Sequence, residues 1–177
     1  MVNVARGFPS NRVSLCHLTS FPSLPQGGVL RAGINLSNFL LVTIIDSTGN
    51  PGGVAPDLAH EVAIRLGVPV KYVPFRSPGE LADAADKDIW DIGLIGAEPQ
   101  RAEAIAFTAA YAEIEATYLV PSGSALKTIV DIDSAGVRIA VTARTAYGLW
   151  LDRNIRGSQG LFNAPKALAL RARNTCH

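Results

Sequence analysis

Acidic residues are missing from both ends of this chain. All fifteen lie between Asp46 and Asp152, and the stretches on either side carry only basic residues. That asymmetry marks an ordinarily mixed domain in the middle and different material at each end. Cysteine is scarce as well. Cys16 and Cys176 sit one in each end, with no framework or metal-site spacing, so two separate thiols is the plain reading and the redox compartment stays open. The three histidines, His17, His60 and His177, have no ligand spacing either, and no metal is expected. No phosphate-loop, GxGxxG or nucleophile-elbow pattern occurs, so no cofactor and no catalytic residue is nominated. Long apolar runs are absent. "FLLVTII", Phe39 to Ile45, is far too short to span a bilayer. The opening "MVNVARGFPSNRVSLCHLTSFPS" has no continuous apolar stretch and does not read as a secretory signal. A net charge of +1 argues against nucleic acid or a membrane surface as partner.

What is present is a globular composition, 48% apolar and 18% charged over 177 residues, enough for one domain or two small lobes. Residues 1–28 are rich in Pro, Ser and Gly without periodicity and are expected to form a poorly ordered leader. "VLRAGI" (Val29 to Ile34) reads as a strand, and "DSTGNPGG" (Asp46 to Gly53) as turn chemistry. "NPGG" is better taken as a hairpin-like bend than as a phosphate cradle. In "VAPDLAHEVAIRLG", Val54, Leu58, Val62 and Leu66 recur every four residues and Gly67 supplies a stop, which predicts a helix. "VPVKYVPF" (Val68 to Phe75) is a strand whose two prolines indicate that it lies at an edge or starts late. Ser77, Pro78 and Glu80 form a capping-box start for a second helix. "DIWDIGLIG" (Asp88 to Gly96) reads as a buried strand, Pro99 to Ile105 as a short helix, and Glu113 to Pro121 as a strand. A helical turn in "VDIDSAG", a strand at Val137 to Thr142 and a helix at Thr145 to Ile155 complete the series. This alternation predicts an α/β fold with a mostly parallel sheet. Ligands of such folds bind beyond the carboxyl ends of the strands.

Arg101 stands out. A cation in the first turn of a helix is mildly unfavourable, so it is either a surface charge satisfied by Glu98 or Glu103 or part of an anion site. Trp90 and Trp150 are read as packing, and Tyr111 either as lining a cleft or as packed near a hinge. The pair Asp131 and Asp133 is expected to cap a turn, and Glu113 and Glu115 to face solvent from one side of a strand.

Three separated strings, "GNPGGVAPDLAHEVAIRLGVPVKYVPF", "DIGLIGAEPQRAEAIAFTAAYAEIEATYLV" and "VDIDSAGVRIAVTARTAYGLWL", resemble in order the solute-binding proteins of family 3. These are the extracellular receptors of ABC importers for amino acids and related polar solutes. The resemblance runs from about Val29 to Ile155. It implies a type II periplasmic-binding-protein-like α/β fold. A first lobe with its hinge strand would span 29–120 and the start of a second lobe 121–155. Residues 156–177 would form an atypical basic tail with a short helix around "APKALALRAR", so the second lobe reads as truncated. The lobes would close on the solute by a hinge around Glu113 to Val120.

The resemblance further implies that Arg101 clamps a carboxylate and that Gly96 and Ala97 offer backbone groups. It places Asn38 or Phe39 against the solute, and Thr145, beside Arg144, at the entry to the second-lobe helix. Asn38 stands where many members carry a stacking aromatic, and Gly96 and Ala97 lack the usual hydroxyl. Arg101→Ala is expected to abolish binding with little effect on stability. The implied partners are a small carboxylate-bearing solute and a membrane permease, with the receptor monomeric and periplasmic. The unread signal leaves cytoplasmic retention open. Two alternatives stand beside this: an enzyme resembling cyclohexadienyl dehydratase on the same fold, and a nonfunctional fragment.

Overall fold

The computed structural model describes residues 2–7 and 28–162. The chain divides into two compact units, Met1–Ile114 and Glu115–His177. The division falls six residues before the expected lobe boundary at 120, and the second unit takes in the segment expected as a separate tail. Elements run in the order β1 (Val2–Gly7), β2 (Leu30–Asn35), β3 (Ile44–Ile45), β4 (Pro51–Gly52), α1 (Val54–Leu66), β5 (Val70–Phe75), α2 (Pro78–Ala82), β6 (Ile92–Gly96), α3 (Pro99–Ala102), β7 (Ile105–Ala112), α4 (Ile129–Ile132), β8 (Arg138–Val141), α5 (Ala146–Asn154) and β9 (Gln159–Phe162).

The first unit is built on a five-stranded sheet in the order β5-β2-β6-β1-β7. β2 is parallel to β5 and to β6, whereas β1 runs antiparallel to both β6 and β7. The mostly parallel α/β sheet is therefore present, with β5 at its edge as the prolines of that strand indicate.

Residues alternate across the sheet. Ala32, Ile34 and Leu94 face one side, where Ala55 and Ala59 of α1 pack with Leu41 and Val42. The buried face of α1 is the small-residue stripe Ala55, Ala59 and Ala63, while Val54 is exposed. The opposite side holds Phe75, Leu81, Ala84, Trp90, Ile95 and Ile105. Gly33 and Gly93, paired on neighbouring strands, lie under Leu81 and Trp90. A Cβ on Gly93 would stand 2.9 Å from the Leu81 side chain, so the close seat of α2 depends on that missing atom. Trp90 donates its indole N–H to the Leu81 carbonyl at 3.3 Å, which makes it a core residue.

Several local expectations are met. α1 ends at Gly67, whose N–H returns to the Ala63 and Ile64 carbonyls. The β3-β4 hairpin turns at 46–50, with the Asp46 carboxylate accepting from the Thr48 and Asn50 N–H groups, so Pro51 and Gly52 of "NPGG" belong to β4 and not to the expected bend. Ser77 caps α2 by accepting from the Glu80 N–H. The reciprocal arm differs, since the Glu80 carboxylate takes the N–H of Arg76 at 3.0 Å.

Four expectations are corrected. Residues 2–7, assigned to a disordered leader, form β1 inside the sheet, because long-range pairing with β6 and β7 satisfies their backbone. The strand expected at Glu113 to Pro121 is displaced. β7 occupies Ile105–Ala112 and 113–121 contains no strand, which also shortens the helix expected to reach Ile105. Glu113 and Glu115 are exposed but stand outside any strand. The start of the tail, Gln159–Phe162, forms β9 parallel to β8. The expected helix around "APKALALRAR", together with Cys16, Cys176, His17 and His177, lies outside the described residues.

The second unit packs Ile132, Ile139 and Leu151 with Tyr118, Val137 and Ile155. α4 opens with a capping box between Thr128 and Asp131. The Asp133 carboxylate accepts from the N–H groups of Arg156, Gly157 and Ser158, so both aspartates cap backbone.

Candidate functional site

β2 and β6 are neighbours with Ile34 opposite Leu94, so the chain leaves both strands at one sheet edge, the carboxyl edge where α/β folds hold ligands. At the β2 exit, Asn35 accepts through Oδ1 from the N–H and hydroxyl of Ser37, at 3.1 and 2.8 Å. The Asn38 carbonyl then accepts from the N–H groups of Leu41 and Val42. That turn leaves Asn38 half-buried and Phe39 53% exposed.

At the β6 exit, Gly96 and Ala97 are half-buried. The Glu98 carboxylate caps α3 by accepting from the Gln100 N–H at 2.9 Å, and Pro99 takes the first helical position, where its missing N–H costs nothing. One turn on, Arg101 folds back over its own strand end. Its Nη1 donates to the Gly96 carbonyl at 2.8 Å, and the residue is only 6% exposed. Arg101 is therefore not a surface charge. A guanidinium is withdrawn from water only where polar groups receive it, and the end of β6 supplies such a group.

Among the described residues, the buried polar or charged ones are Asn35, Glu98 and Arg101, and all three belong to these two adjoining exits. Asn35 was not singled out from the sequence, and Glu98 was named there only as a partner for Arg101. Glu98 has a local signal in retrospect, a carboxylate directly before a proline that opens a helix, the same logic that identifies Ser77 before Pro78. Asn35 has none, since its role depends on the strand pairing.

Arg144 and Thr145 belong to the second unit, and the other five expected site residues belong to the first. Thr145 caps α5, accepting from the Gly148 N–H at 3.1 Å while its hydroxyl donates to the Thr142 carbonyl at 2.8 Å. Arg144 is exposed, with φ 59 in the turn before it. Tyr111 lies near the end of β7. Its half-buried ring packs against the α1-side core, and burial pushes its hydroxyl pKa up to about 12. Trp150 is 49% exposed. Among the described residues no group of three or more His, Cys, Asp or Glu is placed to hold a metal ion, and no helix is long and apolar enough to cross a membrane.

The sheet and its carboxyl-edge exits define an α/β fold of the type II periplasmic-binding-protein class. The bacterial extracellular solute-binding proteins, family 3, match residues 30–173, and the chain belongs to that family. The match continues well past Ile155, which corrects the expectation that the last residues are foreign to the family. No curated protein matches the sequence.

Similar solved structures include an ancestral amino acid-binding protein described as a precursor of cyclohexadienyl dehydratase, at 25% identity and TM-score 0.63, covering 76% of this chain and 60% of that one. A putative ABC transporter binding component from Wolinella succinogenes, complexed with lysine, gives 21% identity and TM-score 0.58, covering 77% and 59%. Holo ArgBP from T. maritima gives 24% and 0.56, covering 76% and 59%. The chain thus spans about 60% of the length of the relatives it resembles.

Proposed function

We propose that this chain serves as the substrate-binding component of an ABC importer and takes a small carboxylate-bearing solute such as an amino acid. The observation that carries the reading is the concentration of buried polar residues, Asn35, Glu98 and Arg101, at the two adjoining strand exits. Polar groups are buried at a cost, and a recognition site is where that cost is recovered. Arg101 is the carboxylate clamp. Its Nη1 is anchored on the Gly96 carbonyl, and a guanidinium matches a carboxylate in two parallel bonds. Gly96 and Ala97 contribute backbone groups, while Asn38 and Phe39 border the solute from the β2 exit. The same reading assigns Thr145 and Arg144 to the solute as well, with 113–120 as the hinge. The likeness to an amino acid-binding protein supports this ligand class. The membrane permease and a periplasmic location follow from the same reading.

The role is binding rather than catalysis, since Glu98, the buried carboxylate at this edge, is engaged as a helix cap. Isothermal titration of the purified chain and of Arg101→Lys with the amino acids tests it. Uptake by the wild type and loss in the variant is the expected result. Equal uptake in both removes Arg101 from the site.

A further inference from the structure

Gly96 and Ala112 are both cross-strand partners of Val2. The end of β7 therefore reaches the same sheet edge as the exits of β6 and β2, and Tyr111 stands one residue before that end. Its ring packs against the core cluster that includes Ile34, Leu41, Val42 and Leu94, and Leu36 of the β2 exit packs on the same cluster. The Tyr111 hydroxyl is buried and has no hydrogen-bond partner among the described residues. Tyr72, which packs against the same core, donates its hydroxyl to the Pro56 carbonyl at 3.2 Å. Buried hydroxyls are ordinarily satisfied, and one that is not costs free energy that phenylalanine in the same place would avoid.

We propose that Tyr111 is a further solute-binding residue, whose hydroxyl has no partner among the described residues of the free chain and hydrogen-bonds a polar group of the bound solute. The inference rests on the binding function proposed above and adds to it a group outside the Arg101 turn. A phenol raised toward 12 keeps its proton, so it enters as a donor, suited to a carboxylate or carbonyl oxygen of the solute. An interaction present in only one state shifts the equilibrium toward that state by its own worth. The energy left unclaimed in the free chain is then recovered as affinity.

The test compares wild type with Tyr111→Phe in two measurements, a thermal melt of the free chain and a titration with each of the twenty protein amino acids. The expected result is an unchanged or higher melting temperature for the variant, with an affinity lower by about tenfold for the amino acid the wild type binds. A clear fall in the free chain's melting temperature would mean that the hydroxyl already has a partner, and would overturn the proposal. Equal affinity in both proteins would overturn it too, while leaving the binding function standing. If the wild type binds none of the twenty, the binding reading itself fails, and the role proposed for Tyr111 falls with it.

Discussion

Arg101 returns to the strand that precedes it: its Nη1 donates to the Gly96 carbonyl at 2.8 Å, five residues back. The cation proposed as the carboxylate clamp is thereby fixed by the backbone of its own turn. Because the guanidinium is buried, Arg101→Ala removes packing and a charge-assisted bond at once, contrary to the expectation of an unaffected free protein. The free variant should lose about 1–3 kcal/mol in denaturant unfolding. Arg101→Lys keeps charge and stem but loses the fork, so it should stay closer to wild-type stability while solute affinity falls about tenfold or more. A lysine variant that binds as well as wild type would show that the fork is not used.

Much of this arrangement could be read locally. The α1 stop at Gly67, the Ser77–Pro78 start of α2 and the edge position of β5 each follow from a few neighbouring residues with one physical role. β1 and β7 could not be read so. Their pairing joins Asn3 to Ala110, and the alanine-rich "IAFTAAYA" has weaker strand character than the β-branched and aromatic residues just beyond it. The same limit applies to the site. The family strings drew attention to Arg101, yet its burial depends on its stem folding back to a carbonyl, which no spacing encodes. Asn35 became visible only once β2 and β6 were side by side.

Asp133 accepts from three successive backbone N–H groups, Arg156, Gly157 and Ser158. Those bonds, the one from Gly157 foremost, hold its carboxyl below the ordinary value of 3.8. A depressed folded pKa contributes stability that is present above the unfolded value and lost as pH falls through the folded one. The second unit should therefore loosen on acidification below about pH 3.8. The Gly157 amide resonance should titrate with a midpoint under that value and lose the transition in Asp133→Asn. A midpoint at or above 3.8 would contradict the assignment.

Gly157 is also required for space. A Cβ there would lie 2.6 Å from the Asp133 carbonyl oxygen and 3.1 Å from its carbon. These are backbone atoms, which cannot rotate aside as a side-chain tip can. Gly157→Ala should cost about 1–3 kcal/mol, the range for forced overpacking, measured by denaturant unfolding of the second unit. An alanine variant of wild-type stability would mean that Asp133 and Gly157 do not meet in this way.

Arg31 ties β2 to the turn before β6. Its guanidinium pairs with Asp91 at 2.7 Å and with Asp88 at 2.8 Å, it donates to the Asp88 carbonyl, and its backbone N–H gives a further bond to Asp91 at 2.7 Å. Asp91→Ala should destabilise the first unit by about 1.5–3 kcal/mol, the range for hydrogen bonds to charged groups. A double-mutant cycle with Arg31→Ala should show coupling of at least about 0.5 kcal/mol. Strict additivity would reduce the pair to a surface contact.

The central claim is that the carboxyl edge of the first sheet receives a small carboxylate solute. The most direct test is a thermal melt of the purified chain, alone and with each amino acid in turn. A ligand at a hundred times its dissociation constant adds about 2.7 kcal/mol, which raises the melting temperature of a chain this size by roughly several degrees. The account predicts that shift for one chemical class of solute, and its loss in Arg101→Lys. A cooperative melt that no amino acid moves would contradict it.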